Sequence, residues 1–208
     1  DEHPKIDYTV DRFADIEILR YEVPGFEELS LQQKQLLYHL SEAALMGRDI
    51  IFDQNCRYNL AIRRALEAIY REYRGDRGNA QFKALETYLK RVWLANGIHH
   101  HYGEDKFEPA GFTADYFAKC IRSLDPKHVP VRKGQTVDAW LKEITPVIFD
   151  PKVMPKRTVQ SGSGDLLLAS ANNYYEGGVT QQEAEAFYAA MRTPNDSTAP
   201  SYGLNSRL

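Results

Sequence analysis

The stretch Arg57-Tyr-Asn-Leu-Ala-Ile-Arg-Arg-Ala-Leu-Glu-Ala-Ile-Tyr-Arg-Glu-Tyr73 spaces Tyr58, Ile62, Ala65, Leu66, Ile69 and Tyr73 three or four residues apart, which predicts a helix over about 57–73 with one apolar face. Glu67 and Arg71 stand four apart in the order that favours pairing, and Gly75 and Gly78 bracket the exit. The next periodic run, Gln81 to Ala95, turns Phe82, Leu85, Leu89, Val92 and Trp93 inward, pairs Glu86 with Lys90 outside, and stops at Asn96-Gly97. Upstream, Ser30-x-x-Gln33 is a capping box before Leu36, Leu37, Leu40, Ala43 and Ala44, a third helix that Gly47 terminates. Three helices joined by short connections predict a helix-dominated core.

The flanks are less regular. Residues 1–29 mix acidic, apolar and aromatic types and close on Pro24-Gly25, a lead-in of mixed structure. After the helices, Ile98 to Phe112 reads as a His-, Gly- and Pro-rich loop. Thr113 caps a short helix to Cys120, and Thr136 caps another through Trp140 to about Val147. A polar loop, 157–164, marks a sub-boundary within a single domain. Asp165 to Ala171 reads as a buried strand, because Leu166, Leu167 and Leu168 run together between turn signals. Thr180-x-x-Glu183 opens a last helix with Ala184, Phe187, Tyr188 and Met191 on its apolar side, ended by Pro194. The fold class expected is α+β, predominantly helical with a small β component. Pro200 to Leu208 has neither a helix stop nor the polar character of a natural tail, which reads as a chain that continues.

Composition narrows the function classes. The 208 residues suffice to bury a core without metal or disulfide staples. The mean hydropathy of −0.52 and the lack of a long apolar run argue against a membrane span. Lys and Arg number 26 against 29 Asp and Glu, a net charge of −3, so nucleic acid is not an expected partner. The arginines Arg57, Arg63, Arg64, Arg71, Arg74 and Arg77 fall on different helix faces and are offset by Glu67, Glu72 and Asp76, so they read as solvated surface. Cys56 and Cys120 are expected as buried free thiols, since two isolated cysteines make no framework. The compartment stays open: cytoplasmic, or periplasmic if an export signal preceded Asp1.

The most conspicuous polar cluster is His99-His100-His101-Tyr102-Gly103-Glu104-Asp105-Lys106-Phe107. On extended backbone His99 and His101 share a face while His100 points away. Adjacent histidines do not match the spacings of zinc sites, so stacked and hydrogen-bonded rings at a cleft edge are the preferred reading over a metal. His39 beside the first apolar stripe is a boundary residue, and His3 and His128 read as solvated. Asn172-Asn173-Tyr174-Tyr175-Glu176-Gly177-Gly178 reads equally well as a plain turn and as a ligand-facing loop. No GxGxxG, Walker loop, GxSxG or HExxH occurs, and no complete catalytic set is recognisable.

Several ordered blocks nevertheless resemble one family. Residues 13–26 (FADIEILRYEVPGF), 47–55 (GRDIIFDQN), 58–64 (YNLAIRR), 88–93 (YLKRVW) and 96–103 (NGIHHHYG) are similar to the N-terminal region of bacterial dipeptidyl peptidase III. Phe149-Asp-Pro151, Met154-Pro-Lys-Arg157, Asn172-Asn-Tyr-Tyr175, residues 180–185 (TQQEAE) and 201–208 (SYGLNSRL) continue the likeness over nearly the whole chain. The resemblance implies a zinc exopeptidase that releases dipeptides from the N-terminus of oligopeptides, built as two lobes around a wide cleft. This chain would be the N-terminal contribution to the lobe without zinc. The family's H-E-x-x-G-H motif and its distant Glu ligand are absent from these 208 residues, so the resemblance assigns the chain no catalytic residue and no metal ligand. Zinc belongs to the full-length parent, and the chain alone is expected to be inactive. The resemblance places His101, Tyr102 and Phe107 at the cleft edge as substrate-binding residues, with an oligopeptide and the remainder of the parent chain as partners. The competing expectation is a free-standing peptide-binding or interaction module without enzymatic activity.

Overall fold

The computed structural model describes residues 6–191. Two strands, β1 (Thr9–Phe13) and β2 (Ile16–Leu19), pair antiparallel, followed by eight helices: α1 (Leu31–Met46), α2 (Arg48–Asn55), α3 (Asn59–Glu72), α4 (Ala80–Ala95), α5 (Ala114–Arg122), α6 (Val137–Phe149), α7 (Leu166–Ala169) and α8 (Gln181–Met191). The fold is α+β and predominantly helical. Among the described residues no helix is long and apolar enough to cross a membrane. The expected helix stop at Pro194, the tail from Pro200 and His3 lie outside them.

The core forms where apolar faces meet. Ile62, Leu66 and Ile69 of α3 pack with Phe82, Leu85 and Leu89 of α4, and α5 and α6 add Phe117, Ile121, Trp140 and Ile144. Tyr73 stacks on Phe82 with ring centroids 5.4 Å apart. Side-chain caps from Asn79, Thr113 and Thr136 satisfy first-turn amides of α4, α5 and α6, and Asn96 closes α4 in the left-handed conformation. The boundaries of these helices lie close to the predicted ones. Cys56 and Cys120 are buried free thiols, and burial pushes both pKa values up.

The structure departs from expectation at several places. Asp165 to Ala171 is not a strand: the Asp165 carboxylate accepts the amides of Leu167 and Leu168 and caps the short α7. The small β component instead lies in the lead-in, where a hairpin turns through Ala14 at φ 51°. Asp11 and Asp15 clamp this hairpin to α4 through Lys90 and Arg91, each at 2.6 Å, so Lys90 is held by the hairpin and not by the expected Glu86. As expected, Gly47 ends α1, though at a helical φ of −74°, and α2 starts one residue later. Trp93 is 41% exposed, its indole N–H donating to Glu67 at 2.9 Å.

α1 differs from every other long helix. Its capping box forms as predicted, yet none of its residues is buried, and Leu31, Leu36, Leu37, Tyr38, Leu40, Leu45 and Met46 are all exposed.

Candidate functional site

The histidine-rich loop is folded tightly on itself. The Phe107 amide donates to Ile98 O at 2.9 Å and the His100 amide to Asp105 O at 2.7 Å, while His99 bridges Lys106 and Asp105 bridges Lys156. Two fastenings fix this ladder. The Lys106 ammonium donates to the carbonyls of Val147 (2.9 Å), Asp150 (2.6 Å) and Val153, using all three of its protons at and beyond the end of α6. Desolvation lowers its pKa, and the nearby Asp150 carboxylate opposes that shift. Arg157 forks onto both oxygens of Glu104 at 2.8 and 2.5 Å and also reaches His101 O at 3.3 Å. The pair is mostly shielded from water, and the guanidinium holds the Glu104 carboxyl below its ordinary pKa.

The expected alternation of histidine faces does not hold. His99 is turned into the core, 1% exposed, with its Nε2 2.8 Å from Met154 O. His100 and His101 stack at 4.7 Å, their planes 17° apart, because the chain turns at residues 101–103 and extended geometry ends at His100. The amides of Tyr102 and Gly103 donate to Nδ1 of His100 at 3.1 and 2.9 Å, so that ring is the hub of the turn. The three residues marked by the resemblance gather around it. His101 lies 4.5 Å from the Tyr102 ring, Tyr102 is 85% exposed, and Phe107 meets His100 edge-on at 6.0 Å beneath the Arg91 guanidinium. On its other side Phe107 lines a cavity of about 450 Å³ with Asp105, Glu108, Phe149 and Pro151.

What the loop offers to solvent is chiefly the Tyr102 ring: Nδ1 of His100 is taken by two amides, and Nδ1 of His101 is buried without a partner. Among the described residues no group of three His, Cys, Asp or Glu side chains gathers to hold a metal ion. The segment Asn172 to Gly178 is fastened to the end of α2 and borders a cavity. The Asn173 amide anchors to Gln54 O at 2.8 Å, and the segment lines a small cavity of about 160 Å³ with Arg57 and Met154. His128 is exposed, as expected, and pairs its Nδ1 with the Glu72 carboxylate. Nothing local distinguishes Lys106 and Arg157 in the sequence, since they reach across 41 to 56 residues of chain.

The loop carries a pH signature. Burial, together with nearby Lys106 and Arg157, lowers the His99 pKa below the ordinary imidazole value of about 6.5. The unfolded chain therefore binds a proton that the folded chain refuses. The stability so contributed is complete above about pH 6.5 and is lost progressively below it, as pH falls through the lowered folded-state pKa, at up to about 1.4 kcal/mol per pH unit. Urea unfolding between pH 7.5 and 5 should show this slope, and His99→Gln should flatten it; an unchanged slope would show that another group sets it.

No protein-family profile matches the chain, and no curated protein matches it either.

Proposed function

We propose that the chain is the N-terminal portion of a zinc-dependent dipeptidyl peptidase, supplying scaffold and one edge of the peptide cleft while the zinc chemistry resides in sequence beyond it. The observation that carries this reading is the exposed His101–Tyr102 edge, stacked on His100 and held by the Glu104–Arg157 fork, at the positions where the sequence resemblance expects substrate contacts. The role is recognition. Within the described residues the site presents no nucleophile with an adjacent base, and His99 is occupied by a main-chain carbonyl.

A free-standing peptide-binding module is the second reading, favoured by the closed core of α3 to α6, which includes Phe117, Trp140 and Ile144 among its fully buried side chains. Both readings predict peptide binding and differ in the coding sequence past Leu208. An open frame reaching H-E-x-x-G-H supports the enzyme, and a stop codon supports the module.

The direct test is NMR titration of the chain with a tetrapeptide. Shifts should concentrate at His101, Tyr102 and Phe107, and Tyr102→Ala should weaken binding about tenfold, as loss of an aromatic anchor does. Shifts elsewhere, with Tyr102→Ala silent, would remove the loop from the reading. The chain with added zinc should release no dipeptide, whereas turnover at about 1 to 10³ per second would place the chemistry inside it.

A further inference from the structure

A second concave surface lies away from the histidine loop, between the start of α3 and the face of α6. It encloses about 560 Å³, within the usual range for ligand sites, and is lined by Arg57, Arg64, Arg132, Glu143, Tyr58 and Trp140 among others. Three guanidiniums thus face one carboxylate, inside a chain whose overall charge is −3.

The one carboxylate is already committed. Arg132 forks onto both Glu143 oxygens at 3.0 and 2.7 Å, and the Gln135 amide adds a third donor at 2.8 Å. Arg132, and at longer range Arg57, hold Glu143 ionised. Arg64 touches Asp49 only at 3.7 Å, while Arg63 takes the other Asp49 oxygen at 2.8 Å. Arg57 lies over the Tyr58 ring at 5.0 Å and forms no ion pair or hydrogen bond among the described residues. Leu60 and Ala61, in the first turn of α3, also line the cavity, and no side chain caps that turn. Arginine is weakly hydrated and shaped to grip carboxylates bidentately, so an unpaired guanidinium over the Tyr58 ring is a set of donors open to an acidic partner.

From this juxtaposition we infer that the cavity between α3 and α6 binds an acidic peptide segment, whose carboxylates engage Arg57 and Arg64 beside the Tyr58 ring. Placement favours a peptide over a compact anion. Arg57 stands just before α3 and Arg64 in its second turn, and the one carboxylate among the lining residues is already taken up by Arg132, so the charge left to complement is that of separate carboxylates on a chain. The inference does not depend on the peptidase reading, because Arg57 and Arg64 lie outside the loop His99 to Phe107.

The test is isothermal titration of the 208-residue chain with an acetylated, amidated hexaglutamate peptide at low salt. Hexalysine, inorganic phosphate and decathymidylate serve as comparison arms. Binding with a dissociation constant below about 1 mM is expected, weakening at least tenfold between 20 and 500 mM salt as charges are screened. Arg57→Gln and Arg64→Gln should each weaken it at least tenfold, Arg57→Lys should restore part of it, and Arg71→Gln, elsewhere on α3, should leave it unchanged. Circular dichroism shows whether each variant is folded, and Arg64→Gln reports independently should Arg57→Gln disturb α3. The inference is overturned by no hexaglutamate binding, by binding indifferent to both substitutions, or by tighter binding of phosphate or decathymidylate.

Discussion

Gly97→Ala lowers the stability of the chain by about 3–5 kcal/mol and its melting temperature by roughly 10 °C, in calorimetry or urea unfolding. Two costs coincide at this residue. Its φ of +151° is a backbone conformation that residues with a Cβ rarely adopt, and an added Cβ would lie 2.2 Å from the side-chain nitrogen of Asn59. That nitrogen cannot retreat, because Asn59 is fully buried and donates to Phe52 O at 2.9 Å. A loss below about 1 kcal/mol would show that the turn after α4 relaxes far more than close packing allows.

Asn59→Leu costs about 2–3 kcal/mol for a different reason. Leucine nearly matches asparagine in shape, so the loss is one of pairing. The Asn59 carbonyl oxygen accepts the buried Ile98 amide at 3.2 Å, and the side-chain amide donates to Phe52 O and, more weakly, to Asn96 O. The two carbonyls keep other donors, Cys56 N–H and the Asn55 amide, whereas the Ile98 amide is left orphaned, which carries most of the penalty. Combining Asn59→Ala with Gly97→Ala tests both arguments. The smaller side chain vacates the space the new Cβ needs, so the double variant should lose at least about 1 kcal/mol less than the sum of the single losses, and strict additivity would contradict the clash.

This corner also shows what a sequence can and cannot disclose. α3 and α4 were legible because a 3.6-residue period and standard caps are local properties, and Asn96-Gly97 announced its own turn. Asn59 is indistinguishable in sequence from a surface asparagine, since its partners lie 7 to 39 residues away. The hairpin was missed because its turn uses Ala14 at positive φ, where glycine or asparagine would have signalled it, and because a register shift between Thr9 and Asp11 breaks strict alternation. Three consecutive leucines carry no period, so capping by Asp165 decided α7. Of the candidate site, the residue types were readable. The stacking of His100 on His101 and the bracing by Lys106 and Arg157 were not, because they depend on segments about 40 to 55 residues along the chain.

The bare surface of α1 has its own consequence for dynamics. A sixteen-residue helix that buries nothing relies on its own hydrogen bonds and its Ser30 cap, near the length at which isolated helices are marginal in water. Its amides should therefore trade protons for deuterons within seconds while those of α3 and α4 hold theirs, and a protease should nick it first. Whatever comes to lie over those leucines in the cell will announce itself as a slowing of that exchange.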